Sequence, residues 1–178
     1  MALFCVPSTY PSVGRNRFEP GGTSLPIRIA EKSEANAITG VINAAFAKAE
    51  RAFGNGDRID LQEVQSNLDT GEFLVFEEDG VITACVYVKM QGQRSYLGLL
   101  PVDPKAQKSG SGSKVMNAAE DHCRNAGSRF MDIRIVNLRK ELPDFYHHRG
   151  YEDAGTEPFA AGFIPLIPGH FVKMSKPL

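Results

Sequence analysis

The chain has 178 residues, enough for one domain to bury a continuous apolar core without disulfide or metal staples. Its 20 basic and 21 acidic side chains nearly cancel, which excludes the broad positive field that would attract nucleic acid or an anionic membrane, so a small molecule is the expected partner. The cysteines, Cys5, Cys85 and Cys123, are odd in number, far apart and in no CxxC spacing, so no disulfide framework or zinc site is expected; Cys85 and Cys123 lie in apolar patterns and read as core.

Residues 1–25 are rich in Pro, Gly, Ser and Thr without periodicity and read as a disordered arm ahead of one folded unit, 26–178. The apolar run from Leu3 to Val6 ends at Pro7, short of a signal-peptide core, and no later stretch is long enough to span a bilayer. Arg15 and Arg17 resemble the charge of a transit peptide, but the prolines interrupt the amphipathic helix such a signal needs. A soluble, cytoplasmic protein is expected.

A short strand is expected over 26–30, followed by a helix with Ser33 as N-cap and Ile38, Val41, Ile42, Ala45, Phe46 and Ala49 at helical spacing, running toward Phe53. Gly54-Asn55-Gly56-Asp57 breaks the chain. Asp60, with Glu63 three residues on, opens a shorter helix through Leu68. Three strands follow over 73–77, 81–90 and 94–100, joined by turns at Glu78-Asp79-Gly80 and Gly92 into an antiparallel meander. Val115, Met116, Ala119, His122, Cys123 and Ala126 then mark one face of a helix closed by Gly127.

Met131, Ile133 and Ile135 share one face of a fifth strand over 130–136. A short helix carries Phe145 and Tyr146, with Pro143 in its first turn and Gly150 past its end. Strands over 151–156 and 170–174 flank a Pro/Gly-rich excursion. A strand, a glycine loop, a helix and another strand form a crossover, which pairs strands in parallel, whereas the hairpins pair antiparallel; the fold class is α/β (α+β) with a mixed sheet.

The segment Gln107-Lys108-Ser109-Gly110-Ser111-Gly112-Ser113-Lys114 joins a strand directly to a strongly amphipathic helix. Glycine there removes side chains that would hold an anion off the backbone, and a helix's first turn has N–H groups without intrahelical acceptors. Those donors and the helix dipole suit a diphosphate, with Lys108 and Lys114 able to add charge. The same composition also fits a flexible linker, but a linker has no reason to sit between a buried strand and a packed helix. The Walker pattern is absent, and the dinucleotide pattern fails because Val115 stands where its third glycine belongs.

Gln107-x-x-Gly110-x-Gly112, preceded by Leu100-Pro101-Val102-Asp103-Pro104, resembles motif A of the GNAT N-acetyltransferases, and Phe145-Tyr146-His147-His148-Arg149-Gly150-Tyr151 resembles that family's tyrosine helix and Gly-aromatic signature. The resemblance covers 26–178. It implies a sheet splayed between its fourth and fifth strands, with acetyl-coenzyme A in the split. By that resemblance the backbone at Leu100 and Val102 would pair with pantetheine, and Gln107, Lys108, Ser109, Gly110, Ser111, Gly112 and Ser113 would hold the pyrophosphate. Asn137 stands where the family often has an asparagine. Pro101 has no N–H to offer.

The same resemblance implies acetyl transfer to a primary amine of a small molecule, with Tyr146 as the acid for the leaving thiolate; a homodimer is the oligomer considered. Such a transfer needs an unprotonated amine, donors for the developing oxyanion and that acid. The family often places a glutamate on the fourth strand, yet residues 94–100 contain no acid, so no base is assigned. The loop between the first two helices, the strand with Tyr87 and Lys89, and the excursion before the last strand are expected to form the acceptor pocket. Two readings stand beside this one: an acyl-coenzyme A binding or sensing module without turnover, and a nucleotide phosphate-binding protein.

Overall fold

A computed structural model describes residues 27–49, 57–106, 110–159 and 167–178. The expected N-terminal arm lies outside them. The elements are β1 (Ile27–Ile29), a 3-10 turn (Lys32–Glu34), α1 (Ala35–Ala49), α2 (Leu61–Thr70), β2 (Glu72–Glu78), β3 (Val81–Gln91), β4 (Arg94–Gly98), α3 (Ser111–Asn125), β5 (Phe130–Val136), α4 (Leu142–His147), β6 (Glu152–Pro158) and β7 (His170–Pro177).

The seven strands form one sheet in the order β1-β2-β3-β4-β5-β7-β6. Each neighbouring pair is antiparallel except β4 and β5, which run parallel because α3 carries the chain back across the sheet between them. The mixed, mostly antiparallel α/β architecture matches the expectation. The last strand, β7, enters between β5 and β6 instead of extending the edge, and pairs with both.

Strand alternation sends side chains to two cores. On one face, Leu74, Val86, Leu97, Met131 and Ile133 pack with Val115, Met116 and Ala119 of α3. On the other, Phe73, Val75, Cys85 and Tyr87 pack with Ile38 and Ile42 of α1 and Val64 of α2. Tyr87 is buried in this second core, its ring 5.2 Å from that of Phe73. Cys85 and Cys123 are buried as expected, and burial pushes both thiols up.

Two local expectations change. Ser33 lies inside the 3-10 turn and does not cap α1; the Glu34 carboxylate instead accepts the Glu31 N–H at 2.8 Å. Asp60 does cap α2, accepting from the Glu63 N–H at 2.8 Å. The fourth strand stops at Gly98, two residues before the expected end, because Leu99 takes a left-handed φ of 47°. Among the described residues no helix is long and apolar enough to cross a membrane.

Candidate active site

The break at Leu99 opens the sheet. Register sets Tyr87 opposite Gly98, then Ala84 opposite Val102, so one extra residue is inserted on the β4 side. This is a β-bulge, and a leucine at positive φ marks it as a strained one. Beyond it, residues 101–103 keep to β3 through Cys85 N–H to Pro101 C=O at 3.3 Å and Asp103 N–H to Thr83 C=O at 2.7 Å. The last β4–β5 pair is Leu97 with Ile133, yet β5 runs on to Val136 paired with β7 alone. The two parallel strands thus form a fork.

Alternation decides which backbone groups face that fork. The carbonyl of Pro101 and the N–H of Asp103 are turned to β3, so the peptide groups of Leu100 and Val102 are turned the other way, toward β5. Proline is harmless at 101 for the same reason: the N–H it lacks would have pointed at β3.

Helix α3 begins at the foot of the fork. Its N-cap, Gly110, sits at φ 81° with no side-chain cap and no acid in the first turn. The first intrahelical bond is Lys114 N–H to Gly110 C=O at 3.1 Å, so the N–H groups of Ser111, Gly112 and Ser113 precede the helical ladder. Around Gly110 an added Cβ would meet nothing within 4 Å, whereas at Gly112 it would lie 3.0 Å from Val102 Cγ2. The first glycine keeps a space open. The second lets the helix start lie against the β4 extension, a packing reason the sequence did not reveal. Lys114 lies with Nζ 5.5 Å from the Phe76 ring centroid. Gln107, Lys108 and Ser109 lie outside the described residues.

Two tight turns, Arg139 N–H to Val136 C=O and Leu142 N–H to Arg139 C=O, carry the chain from the end of β5 into α4. Tyr146 of α4 is buried in the core cluster that also holds Leu97, Leu100, Val102 and Ile135, the residues flanking the fork. Its ring makes edge contacts with Phe145 at 5.1 Å and Tyr151 at 5.5 Å. Among the described residues no group hydrogen-bonds its hydroxyl. Burial, then the nearby Tyr96 phenol, push that hydroxyl from 10.0 up to about 12, against the pull of Arg149 and Arg139. The phenol therefore stays protonated at neutral pH.

Asn137 clamps the start of β7: its Oδ1 accepts the His170 N–H at 2.9 Å and its own N–H donates to the His170 carbonyl at 3.0 Å. Its side-chain oxygen is therefore engaged, and the amide NH2 is the group it can offer a ligand. Sequence reasoning missed Glu120, which is 5% exposed, accepts from the Tyr151 hydroxyl at 3.1 Å and from Lys176 Nζ at 2.6 Å. The signal was present, since Glu120 falls four residues after Met116 and three before Cys123 on the buried stripe of α3.

These features fit a thioester cofactor with a diphosphate tail: a fork edged by backbone groups, a glycine-lined helix start for the anion, and a protonated phenol beside them. No curated protein matches the chain in sequence. Among solved structures, the ribosomal-protein-S18-alanine N-acetyltransferase of Escherichia coli is similar at 14% identity and a TM-score of 0.69, over 85% of this chain and 92% of that one. The ribosomal-protein-alanine N-acetyltransferase of Brucella melitensis gives 19% identity and 0.68, over 85% and 99%. A Salmonella typhimurium protein described as an acetyltransferase, and solved with its cofactor acetyl-CoA, gives 22% and 0.65 over 85% and 92%. At such identities the likeness establishes the fold. The sequence profile of the acetyltransferase (GNAT) domain matches residues 33–176, and the chain therefore belongs to the GNAT acetyltransferase family, whose cosubstrate is acetyl-coenzyme A.

Proposed function

We propose that this protein transfers the acetyl group of acetyl-coenzyme A to a primary amine of a small molecule, with Tyr146 as general acid. The observation that carries the reading is the fork itself, opened by the Leu99 bulge and flanked by a buried phenol that stays protonated.

Acetyl-coenzyme A supplies an acetyl thioester, an activated acyl donor whose departing group is a thiolate. In this reading the peptide groups of Leu100 and Val102 pair with its pantetheine arm, and the backbone N–H groups of Lys108, Ser109, Gly110, Ser111, Gly112 and Ser113, with Gln107 before them, cradle its pyrophosphate. The Asn137 amide adds a donor at the end of β5. As the amine nitrogen bonds to the acyl carbon and the carbon–sulfur bond breaks, Tyr146 gives its proton to the departing sulfur, and the proton lost by the amine leaves through solvent. Burial keeps the Tyr146 phenol protonated and so able to give a proton, and α4 packs it in the cluster that flanks the fork.

The non-catalytic acyl-coenzyme A module keeps one specific support: β4, Arg94–Gly98, carries no carboxylate to serve as base. Thiol release from acetyl-coenzyme A with a mixed panel of amines separates the two. Turnover with any amine supports transfer; acetyl-coenzyme A binding without release from any amine supports the module.

A further inference from the structure

The face of β5 opposite α3 carries Arg134, one residue past the last pair that joins β4 to β5, and so at the mouth of the fork. Its guanidinium is 5.1 Å from the Tyr96 ring centroid and 5.7 Å from that of Phe171, and it donates to Glu157 Oε1 at 3.3 Å. Among the described residues that is its one ion pair, made through a single long hydrogen bond, and its side chain remains 32% exposed. A guanidinium has five N–H donors in a planar fork, so most of this one's capacity is turned to no protein acceptor among the described residues.

A second observation is independent. Register places Arg134 directly opposite Lys173 of β7, and like charges opposite one another across strands are destabilising. Lys173 makes no ion pair among the described residues. The nearest acid on β5, Asp132, takes a two-point hydrogen bond from Arg94 and is also drawn on by the charge of Lys173. Arg94, Arg134 and Lys173 thus face Asp132 and Glu157, one cation more than acids, and an anion lying against Arg134 and Lys173 would balance that excess.

Tyr96 links this pair to the chemistry. Its hydroxyl lies over Gly98, 2.8 Å from where a Cβ would stand, and its ring is the surface on which Arg134 rests. The same phenol is close enough to Tyr146 to oppose its ionisation.

We infer that Arg134, aided by Lys173, forms the anion subsite of the acceptor pocket, and that the acceptor is a small amine that also carries a carboxylate. This rests on the acetyl-transfer reading above. Two aromatic rings within about 6 Å restrict the guanidinium, which lowers the cost of presenting a bidentate edge to a planar anion.

The test compares amino acids with their own carboxamides as acceptors, by thiol release, in the native chain, Arg134→Gln and Glu157→Gln. The native protein should favour the free carboxylate by about 10- to 100-fold in kcat/KM, the size of a charge-assisted pair. Arg134→Gln should bring that ratio toward one. Glu157→Gln separates a ligand site from a mere β5–β6 bracket: the carboxylate preference should persist or grow, because the guanidinium loses its competing partner. If Arg134→Gln fails to fold, Glu157→Gln alone decides, and loss of the preference there overturns the inference. Equal turnover of acids and amides by the native protein overturns it while leaving acetyl transfer intact. Absence of any stabilisation by acetyl-coenzyme A on heating would instead remove the transfer reading, and this subsite with it.

Discussion

The Tyr151 hydroxyl donates to Glu120 at 3.1 Å, and the other oxygen of the same carboxylate takes the Lys176 ammonium at 2.6 Å, so α3, β7 and the turn after α4 meet at one buried acid. Tyr151 is 1% exposed and packs edge-on against Tyr146. The pair therefore holds the ring that in turn supports the proposed acid.

Removing one partner of a buried ion pair strands the other in a poor dielectric. Lys176→Met should lower unfolding stability by about 3 kcal/mol, whereas Arg124→Met, whose partner Asp121 is exposed, should cost under about 1 kcal/mol. Urea titrations of the two variants check this. Equal small losses would show that Glu120 is better hydrated than its burial indicates.

The two loop glycines should fail for different reasons. Gly110→Val forces a branched residue to φ 81°, and Gly112→Val drives a side chain into Val102. Each should weaken acetyl-coenzyme A binding by at least about tenfold in calorimetry, the first by distorting the anion cradle and the second by pushing α3 off the β4 extension. Unchanged affinity in both would remove the cradle assignment.

Much of this site was legible in the sequence because it rests on local signals. Apolar spacing at Val115, Met116 and Ala119 marked α3, alternation at Met131, Ile133 and Ile135 marked β5, and Pro143 and Gly150 bounded α4. What was not legible depends on tertiary partners. Nothing local to Leu99 announces a positive φ, since leucine disfavours it; the bulge exists because the chain must stay on β3 while β5 departs. The entry of β7 between β5 and β6 is likewise a pairing choice between distant segments. Arg134 reads as an ordinary solvent-face residue until Tyr96, Phe171 and Lys173 are brought around it.

Tyr146 should also leave a mark on the pH dependence. Its hydroxyl is raised to about 12, so from pH 7 to 10 it stays protonated and kcat should show no falling limb from its ionisation; the rate should rise as the acceptor amine loses its proton. The sign for stability follows. A folded value above the unfolded one of about 10 means that Tyr146's contribution is complete below pH 10 and is lost as pH rises toward 12. A descending limb near pH 9 that disappears in Tyr146→Phe would place the phenol in a more polar setting than its packing implies.

The most direct measurement on the proposed proton donation is thiol release by Tyr146→Phe at saturating acetyl-coenzyme A, with binding of acetyl-coenzyme A followed by calorimetry on the same preparation. The ring that packs against Phe145 and Tyr151 is kept and one oxygen is lost. Turnover should fall by about 10²- to 10⁴-fold, the range for a positioned acid, with binding little changed because the proposed cofactor contacts are backbone groups elsewhere. Turnover that survives intact while acetyl transfer is rate-limiting would contradict the account, since the leaving sulfur would then take its proton from solvent or another residue.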